Sequence, residues 1–339
     1  LIERFPVNIS IIAHCFDIKP RTLFLWYKDV ISDYHSDKQS GRLAGKKVVE
    51  VDEQTGQVTK EQVVHISHPH QVGESMCIDE KMINGKYCTI LSNHHSGHIA
   101  LLLDSVKPHL VKQAIEQLGQ QALSKIQYIN ADMSPVMKKI CLDTMPHTKI
   151  VVDKFHVLKH AYDALQGVRL DIKKSLKAST FPQTHNPNGW TEIELLEKTK
   201  YLLYKSVDLL DNEQSYLLNT VLEKYPLLHQ AYHLMQEFAR WYRPANIGRP
   251  LHRIKEALHQ WKQKVKQSGI KAFKQVVKMI ENHQEEILRY FEKGLTNAKA
   301  ENINARIQRF IINNYGTRNK DFFFYRLQVY FSPAPQKKI

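Results

Sequence analysis

The stretch Ile126-Gln127-Tyr128-Ile129-Asn130-Ala131-Asp132-Met133-Ser134-Pro135 reads as a short apolar strand that closes on a carboxylate and turns at once into a helix. Ser134 is a good N-cap residue. Pro135 suits the first helical turn, where its missing N–H would have no partner in any case. The helix is expected to run to about Asp143, and Lys149-Ile150-Val151-Val152-Asp153 to follow as another short strand ending on an acid. Strands separated by single helices are added in parallel, through crossovers of one hand.

Upstream, the pattern changes to hairpins. Met76-Cys77-Ile78-Asp79-Glu80 is a short apolar strand ending in carboxylates, Asn84-Gly85 marks a turn, and residues 86–92 and 98–103 read as two more strands. Asn-Gly supplies the two positive φ angles of a tight hairpin, so these three strands are expected to form an antiparallel meander. Residues 106–123 carry Leu110, Ile115, Leu118 and Leu123 at helical spacing. Three antiparallel strands, a helix, and then parallel strands through helical crossovers is the order of the ribonuclease H topology. In such sheets, sites gather at the carboxyl ends of neighbouring strands, and Asp79 and Asp132 fall at two such ends.

From Phe155 to Asn314 nearly everything has helical spacing, interrupted at residues 181–188 and 243–250. At the other end of the chain, residues 8–16 and 22–31 read as two short helices around Asp17-Ile18-Lys19-Pro20, followed by a polar, linker-like stretch at 33–47 and a hairpin within 47–66. The expected fold is therefore α/β: an RNase H-like mixed sheet with a large all-helical insertion, preceded by a small helix-turn-helix-like unit. Boundaries are expected to give residues 1–46 as the N-terminal unit and linker, 47–165 and 295–339 as the two parts of the catalytic domain, and 166–294 as the insertion.

Charge narrows the partner. Lys and Arg total 48 against 34 Asp and Glu, a formal charge of +14, which points to a polyanion. No apolar run is long enough for a spanning helix and no signal peptide opens the chain, so no membrane partner is expected and the protein is read as cytoplasmic and nucleoid-associated. Cys15, Cys77, Cys88 and Cys141 lack CxxC spacing and read as reduced, mostly buried thiols. The first residue is Leu1, which suggests that further residues precede it.

Phosphoryl transfer on DNA needs an activated water or hydroxyl and a stabilised leaving oxygen, and a pair of divalent ions supplies both. Such hard cations want carboxylate oxygens. Asp79 and Asp132 provide two. Glu301 is the best third, because Ile303, Ile307, Phe310 and Ile311 anchor its helix while Glu301 shares a different face with Asn304, Ala305 and Gln308.

These residues resemble the ISL3-type insertion-sequence transposases, which use Asp-Asp-Glu catalysis. Ile78-Asp79-Glu80 before Gly85-Lys86-Tyr87 is similar to the first catalytic block, and Ala131-Asp132-Met133-Ser134-Pro135 to the second. Val152-Asp153-Lys154-Phe155-His156-Val157 resembles the Asp-x-Phe-His block, and Glu301-Asn302-Ile303-Asn304-Ala305-Arg306-Ile307 with Tyr315-Gly316-Thr317-Arg318-Asn319 the Glu-bearing block. The likeness covers about residues 74–331. It implies a two-metal DNA transposase holding two Mg2+, with Mn2+ able to substitute, on Asp79, Asp132 and Glu301. Asp153 and His156 are implied to lie near the site. The implied partners are double-stranded DNA with terminal inverted repeats and a target DNA, bound by a homodimer assembled on DNA. The chain departs from the family in lacking a zinc-ribbon start and in placing Gln308 where a basic residue often stands, a place that Arg306 and Arg309 can take over.

Contacts to DNA are expected from Arg21 and Lys28 in the second N-terminal helix, from Arg240, Trp241 and Arg243 in the insertion, and from Arg306, Arg309 and Arg318 around the Glu helix. Two other functions share the basic charge: a catalytically silent transposase-derived DNA-binding protein, and another RNase H-like nuclease.

Overall fold

The computed structural model describes residues 7–40, 46–52, 54–178, 189–296, 298–314 and 319–332. The chain divides into two compact units, one formed by Leu1–Val151 with Thr296–Ile339 and the other by Val152–Leu295.

The first unit opens with α1 (Ile9–Cys15), α2 (Pro20–Trp26), a π turn at Tyr27–Ile31 and α3 (Tyr34–Gln39). Its sheet contains β1 (Lys46–Val51), β2 (Val58–Ser67), β3 (Ser75–Ile83), β4 (Lys86–Asn93), β5 (Ile99–Leu103), β6 (Tyr128–Ala131) and β7 (Lys149–Val152). Between β5 and β6 lie α4 (Pro108–Glu116) and α5 (Gln120–Leu123), and between β6 and β7 lies α6 (Pro135–Thr144). The strand order is β1-β2-β5-β4-β3-β6-β7. As expected, β3, β4 and β5 pair antiparallel, and β6 joins β3 in parallel. The turn between β3 and β4 has both Asn84 (φ 49) and Gly85 (φ 79) in the left-handed region that Asn-Gly tolerates.

Several expected elements take a different form. The helix expected over 106–123 stops at Glu116 and resumes at Gln120, after Gly119 with its φ of 86. The hairpin within 47–66 becomes β1 and β2, and it extends the sheet beyond β5. The polar stretch 33–47 holds α3, whose Tyr34 is buried with Tyr27 against Phe322 and Tyr325. Those last two rings belong to α16 (Lys320–Phe331), so the N-terminal helices share a core with the C-terminus. Among the described residues, those on both sides of residue 46 belong to one compact unit.

The sheet's two faces bury different sets of residues. Met76, Ile78, Ile129 and Ala131 point into one core with Leu110, Ile115, Ile140 and Met145 of the segments between strands. Ile83, Cys88, Ile90 and Leu102 point the other way, against Ile303, Ile307 and Phe310 of α15 (Ala298–Asn313) and Phe323 and Leu327 of α16. The stripe read from the sequence is thus the face that seats α15 on the sheet.

His68, just past β2, is held as a neutral ring on this side. Its Nδ1 lies 2.5 Å from Ser332 Oγ, and its Nε2 accepts from the Gln328 amide at 3.0 Å. Burial, and then the neighbouring His70, push its pKa down to about 4. Because the unfolded chain takes up this proton near pH 6.5 and the folded one does not, the stabilisation is complete above about 6.5 and is lost as pH falls toward 4. The melting temperature is therefore expected to drop across that window more steeply in the parent than in His68→Gln. Parallel profiles would remove His68 as the cause.

The second unit is helical among its described residues. Its helices are α7 (Lys154–Ala178), α8 (Glu192–Lys198), α9 (Asn212–Lys224), α10 (Pro226–Trp241), α11 (Leu251–Ser268), α12 (Lys271–Asn282), α13 (Gln284–Leu288) and α14 (Tyr290–Lys293). The long α7 packs on α10 and α12, and Leu203, Val221, Met235, Phe238, Trp261, Phe273 and Ile280 fill the interior. Since α7 is one unbroken helix of 25 residues, the boundary expected at 165 has no break to fall in. No described helix is long and apolar enough to cross a membrane.

Candidate active site

Side chains alternate along a strand, so Cys77 and Asp79 lie on the opposite face of β3 from Met76 and Ile78, which is the face covered by α15. Strand β6 alternates likewise: Ile129 and Ala131 enter the other core, leaving Asn130 and Asp132 on the face of Asp79. The parallel register pairs Cys77 with Asn130, and two residues further along each chain stand Asp79 and Asp132. Asp79 does not end its strand as expected. It sits in mid-strand, because antiparallel pairing with β4 continues to Ile83 after the parallel pairing with β6 has stopped at Cys77. What ends at Asp79 is the neighbour, and that opens the sheet beside it.

Each aspartate is held by a short-range partner. Asp132 Oδ1 accepts from the Ser134 backbone N–H at 2.9 Å, and Ser134 caps α6 by accepting from the Met137 N–H. Asp79 Oδ1 accepts from the Glu80 N–H at 2.8 Å, while its Oδ2 accepts from Asn304 Nδ2 at 2.6 Å. That last bond ties mid-sheet to α15 across 225 residues of chain. Glu301 is exposed and stands one helical turn before Asn304, on the same side of α15.

Negative charge accumulates here. Burial, and then the charges of Asp132 and Asp79, push the Glu80 carboxyl above its usual range. Among the described residues neither Asp79 nor Asp132 has a Lys or Arg ion-pair partner. Asn130 is 1% exposed, and its amide has no hydrogen-bond partner on either polar atom. A buried amide costs roughly 1–3 kcal/mol when it is left unpaired. Among the described residues no three His, Cys, Asp or Glu side chains converge as a metal ion requires. The donors themselves suit a hard divalent cation: adjacent carboxylates without counter-charge, above an unpaired amide.

Asp153 and His156 belong to the helical unit. Asp153 is fully buried, with His156 Nδ1 3.4 Å from its carboxylate and the His156 ring half exposed. Burial, and then Asp153 and Tyr290, push the Tyr242 phenol well above its usual range. Lys154 reaches the Tyr290 hydroxyl at 3.5 Å. This buried polar cluster anchors the start of α7.

The expected DNA contacts separate into exposed and packed residues. Arg21, Arg240 and Arg309 are exposed. Lys28 pairs with Asp29 at 2.9 Å, and Arg243 with Asp208 at 3.4 Å. Arg306 lies over the rings of Tyr330 and Phe331, 5.1 and 5.0 Å from their centroids. Trp241 is a correction: it is 7% exposed, its indole donates to the Ile254 carbonyl at 3.0 Å, and it stacks on Phe238. Phe238 is a neighbour on its own helix, but Ile254 comes from α11 and Phe291, with ring centroids 4.6 Å apart, from α14, so the local Arg-Trp-Tyr-Arg composition gave no sign of burial. Arg318 lies outside the described residues. Sequence reasoning missed Asn130 and Asn304 as site residues; only the shared face with Glu301 pointed toward Asn304.

The family model for ISL3-type DDE transposases, described as Transposase, matches residues 76–327. The chain is similar to the transposase for insertion sequence element IS1001 of Bordetella parapertussis, 23% identical over 264 residues, covering 76% of this chain and 61% of that protein. It is also similar to the transposase for insertion sequence element IS1557 of Mycobacterium tuberculosis (strain CDC 1551 / Oshkosh), 21% identical over 245 residues, covering 69% of this chain and 54% of that protein. The chain thus spans between half and two thirds of the length of these relatives. No solved structure matches it.

Proposed function

The chain belongs to the ISL3-type transposase family, and we propose that it is a DNA transposase that binds the terminal inverted repeats of an insertion sequence and catalyses metal-dependent strand cleavage and strand transfer. The observation that carries this reading is the 2.6 Å bond from Asn304 to Asp79, which brings the Glu301 helix to the strand of the first aspartate. We read β5-β4-β3-β6-β7 as an RNase H-like core, with β1 and β2 added at its edge. The helical unit between β7 and α15 then takes the place of the insertion.

In this reading Asp79, Asp132 and Glu301 would hold two Mg2+, or Mn2+ in their place, which when bound supply an activated nucleophile and a stabilised leaving oxygen. Asn304 orients the Asp79 carboxylate, and the Ser134 N–H orients that of Asp132. Asn130 offers a donor and an acceptor at the floor of the same face. The exposed N-terminal helices and the basic surface serve DNA binding, and a homodimer joins the two repeat ends to a target DNA.

Incubating the chain with linear DNA that carries the terminal repeats, with and without Mg2+, separates the readings. A transposase gives metal-dependent cleavage and joining at the repeat ends. Binding without any product would instead mark a silent DNA-binding protein, and cutting without joining a nuclease.

A further inference from the structure

The helical unit concentrates its charge in one place. Residues 249–278 contain nine Lys and Arg against a single acid, Glu256. They form most of the α11–α12 hairpin, joined through Gly269 in the left-handed conformation (φ 69). Ile254, Leu258, Trp261 and Val265 of α11, and Phe273, Val276 and Ile280 of α12, are buried and fix which way each helix faces.

At 100° per residue, Lys255, His259, Lys262 and Lys266 then share one flank of α11, at alternating steps of four and three. Lys271, Lys274 and Lys278 repeat the arrangement on α12. An ion pair between Lys262 and Glu281, 3.6 Å apart, joins the two flanks, so they face each other along the hairpin. Lys255, Lys266, Lys271, Lys274 and Lys278 are all exposed, and among the described residues none of them stands in an ion pair.

Like charges three and four residues apart repel, so this face costs the free protein stability unless a polyanion covers it. We propose that the outer face of the α11–α12 hairpin is a sequence-independent clamp for the phosphate backbone of duplex DNA. The inference rests on the transposase reading and adds the surface that grips the duplex. From Lys255 to Lys266 the stripe is roughly 16 Å long at 1.5 Å per residue. Each strand presents one phosphate per roughly 3.4 Å of duplex axis, so a stripe lying along that axis spans four or five of them. An anionic membrane is the poorer partner, because the apolar face of both helices is already spent on the interior.

The test is a salt titration of the full chain binding a random-sequence duplex and a terminal-repeat duplex, without divalent metal. Lys266→Gln, Lys274→Gln and Lys278→Gln together are expected to lower the slope of log affinity against log salt by roughly 2–3, and to weaken both duplexes alike. The equally charged control Lys60→Gln, Lys125→Gln and Lys198→Gln is expected to leave the slope within about half a unit of the parent's. Glutamine preserves helix propensity, and circular dichroism verifies the fold of both variants. An unchanged slope in the hairpin variant, or an equal loss in the control, overturns the clamp while leaving the transposase reading intact. So does a hairpin variant that loses binding to phosphatidylserine vesicles and keeps its DNA affinity. A parent chain that binds neither duplex overturns both.

Discussion

Glu301→Gln is expected to lower strand cleavage and joining by roughly a hundredfold or more, equivalent to about 2.7 kcal/mol of barrier, while folding and binding to repeat DNA stay near normal. Glutamine keeps the shape and the hydrogen-bonding reach of the side chain and removes the charge. Because Glu301 is exposed, the loss of that charge should change stability by no more than about 0.5 kcal/mol. Asp79→Asn and Asp132→Asn are expected to behave the same way. Exposed Glu292, in the helical unit, supplies the control, and Glu292→Gln should change little. The assay is gel-resolved cleavage and joining in Mg2+, beside thermal unfolding of each variant. A Glu301→Gln enzyme that cleaves at the parental rate would move the third acid to another element and end the role given to α15.

Removing residues 1–46 is expected to damage the unit that holds the sheet rather than release it. Phe322 is fully buried, with Phe24, Tyr27 and Tyr34 around it at ring-centroid distances of 5.5, 5.7 and 5.1 Å. Deletion takes away all three of these rings at once and leaves Phe322 and Tyr325 facing water. Losing even one large buried aromatic typically costs about 3–5 kcal/mol. In a unit of this size each kcal/mol lowers the melting temperature by roughly 2–4 °C. The shortened chain should therefore melt at least about 10 °C below the parent, or bind a hydrophobic dye as purified. A melting point within about 2 °C of the parent would show that the N-terminal helices are separable after all, as their polar flank at 33–47 suggested.

Much of the core was legible because its signals are local. Ser134-Pro135 started a helix where a cap and a first-turn proline must, Asn84-Gly85 turned a hairpin, and the stripe of Ile303, Ile307 and Phe310 marked the side of α15 that meets the sheet. In each case neighbouring residues alone determine the backbone angles or the spacing. The two aspartates were likewise placed on adjacent strands, since the order of hairpins and crossovers allows few sheets.

Tertiary structure decided what depends on distant partners. The sequence by itself determined that Asp79 lies on a strand, but where pairing stops belongs to β4 and β6, and β4 carries the strand on to Ile83. Trp241 looked like a gripping residue until Ile254 and Phe291 closed over it. Phe322 and Tyr325 of α16 lie in a core that only the fold showed Tyr27 and Tyr34 to complete. Asn304 became a site residue only when α15 came to rest beside β3, 225 residues away along the chain. A spacing of three or four residues can specify which side of a helix is apolar; which acid, ring or strand that side will meet is set by packing between segments whose separation in sequence carries no periodic signal.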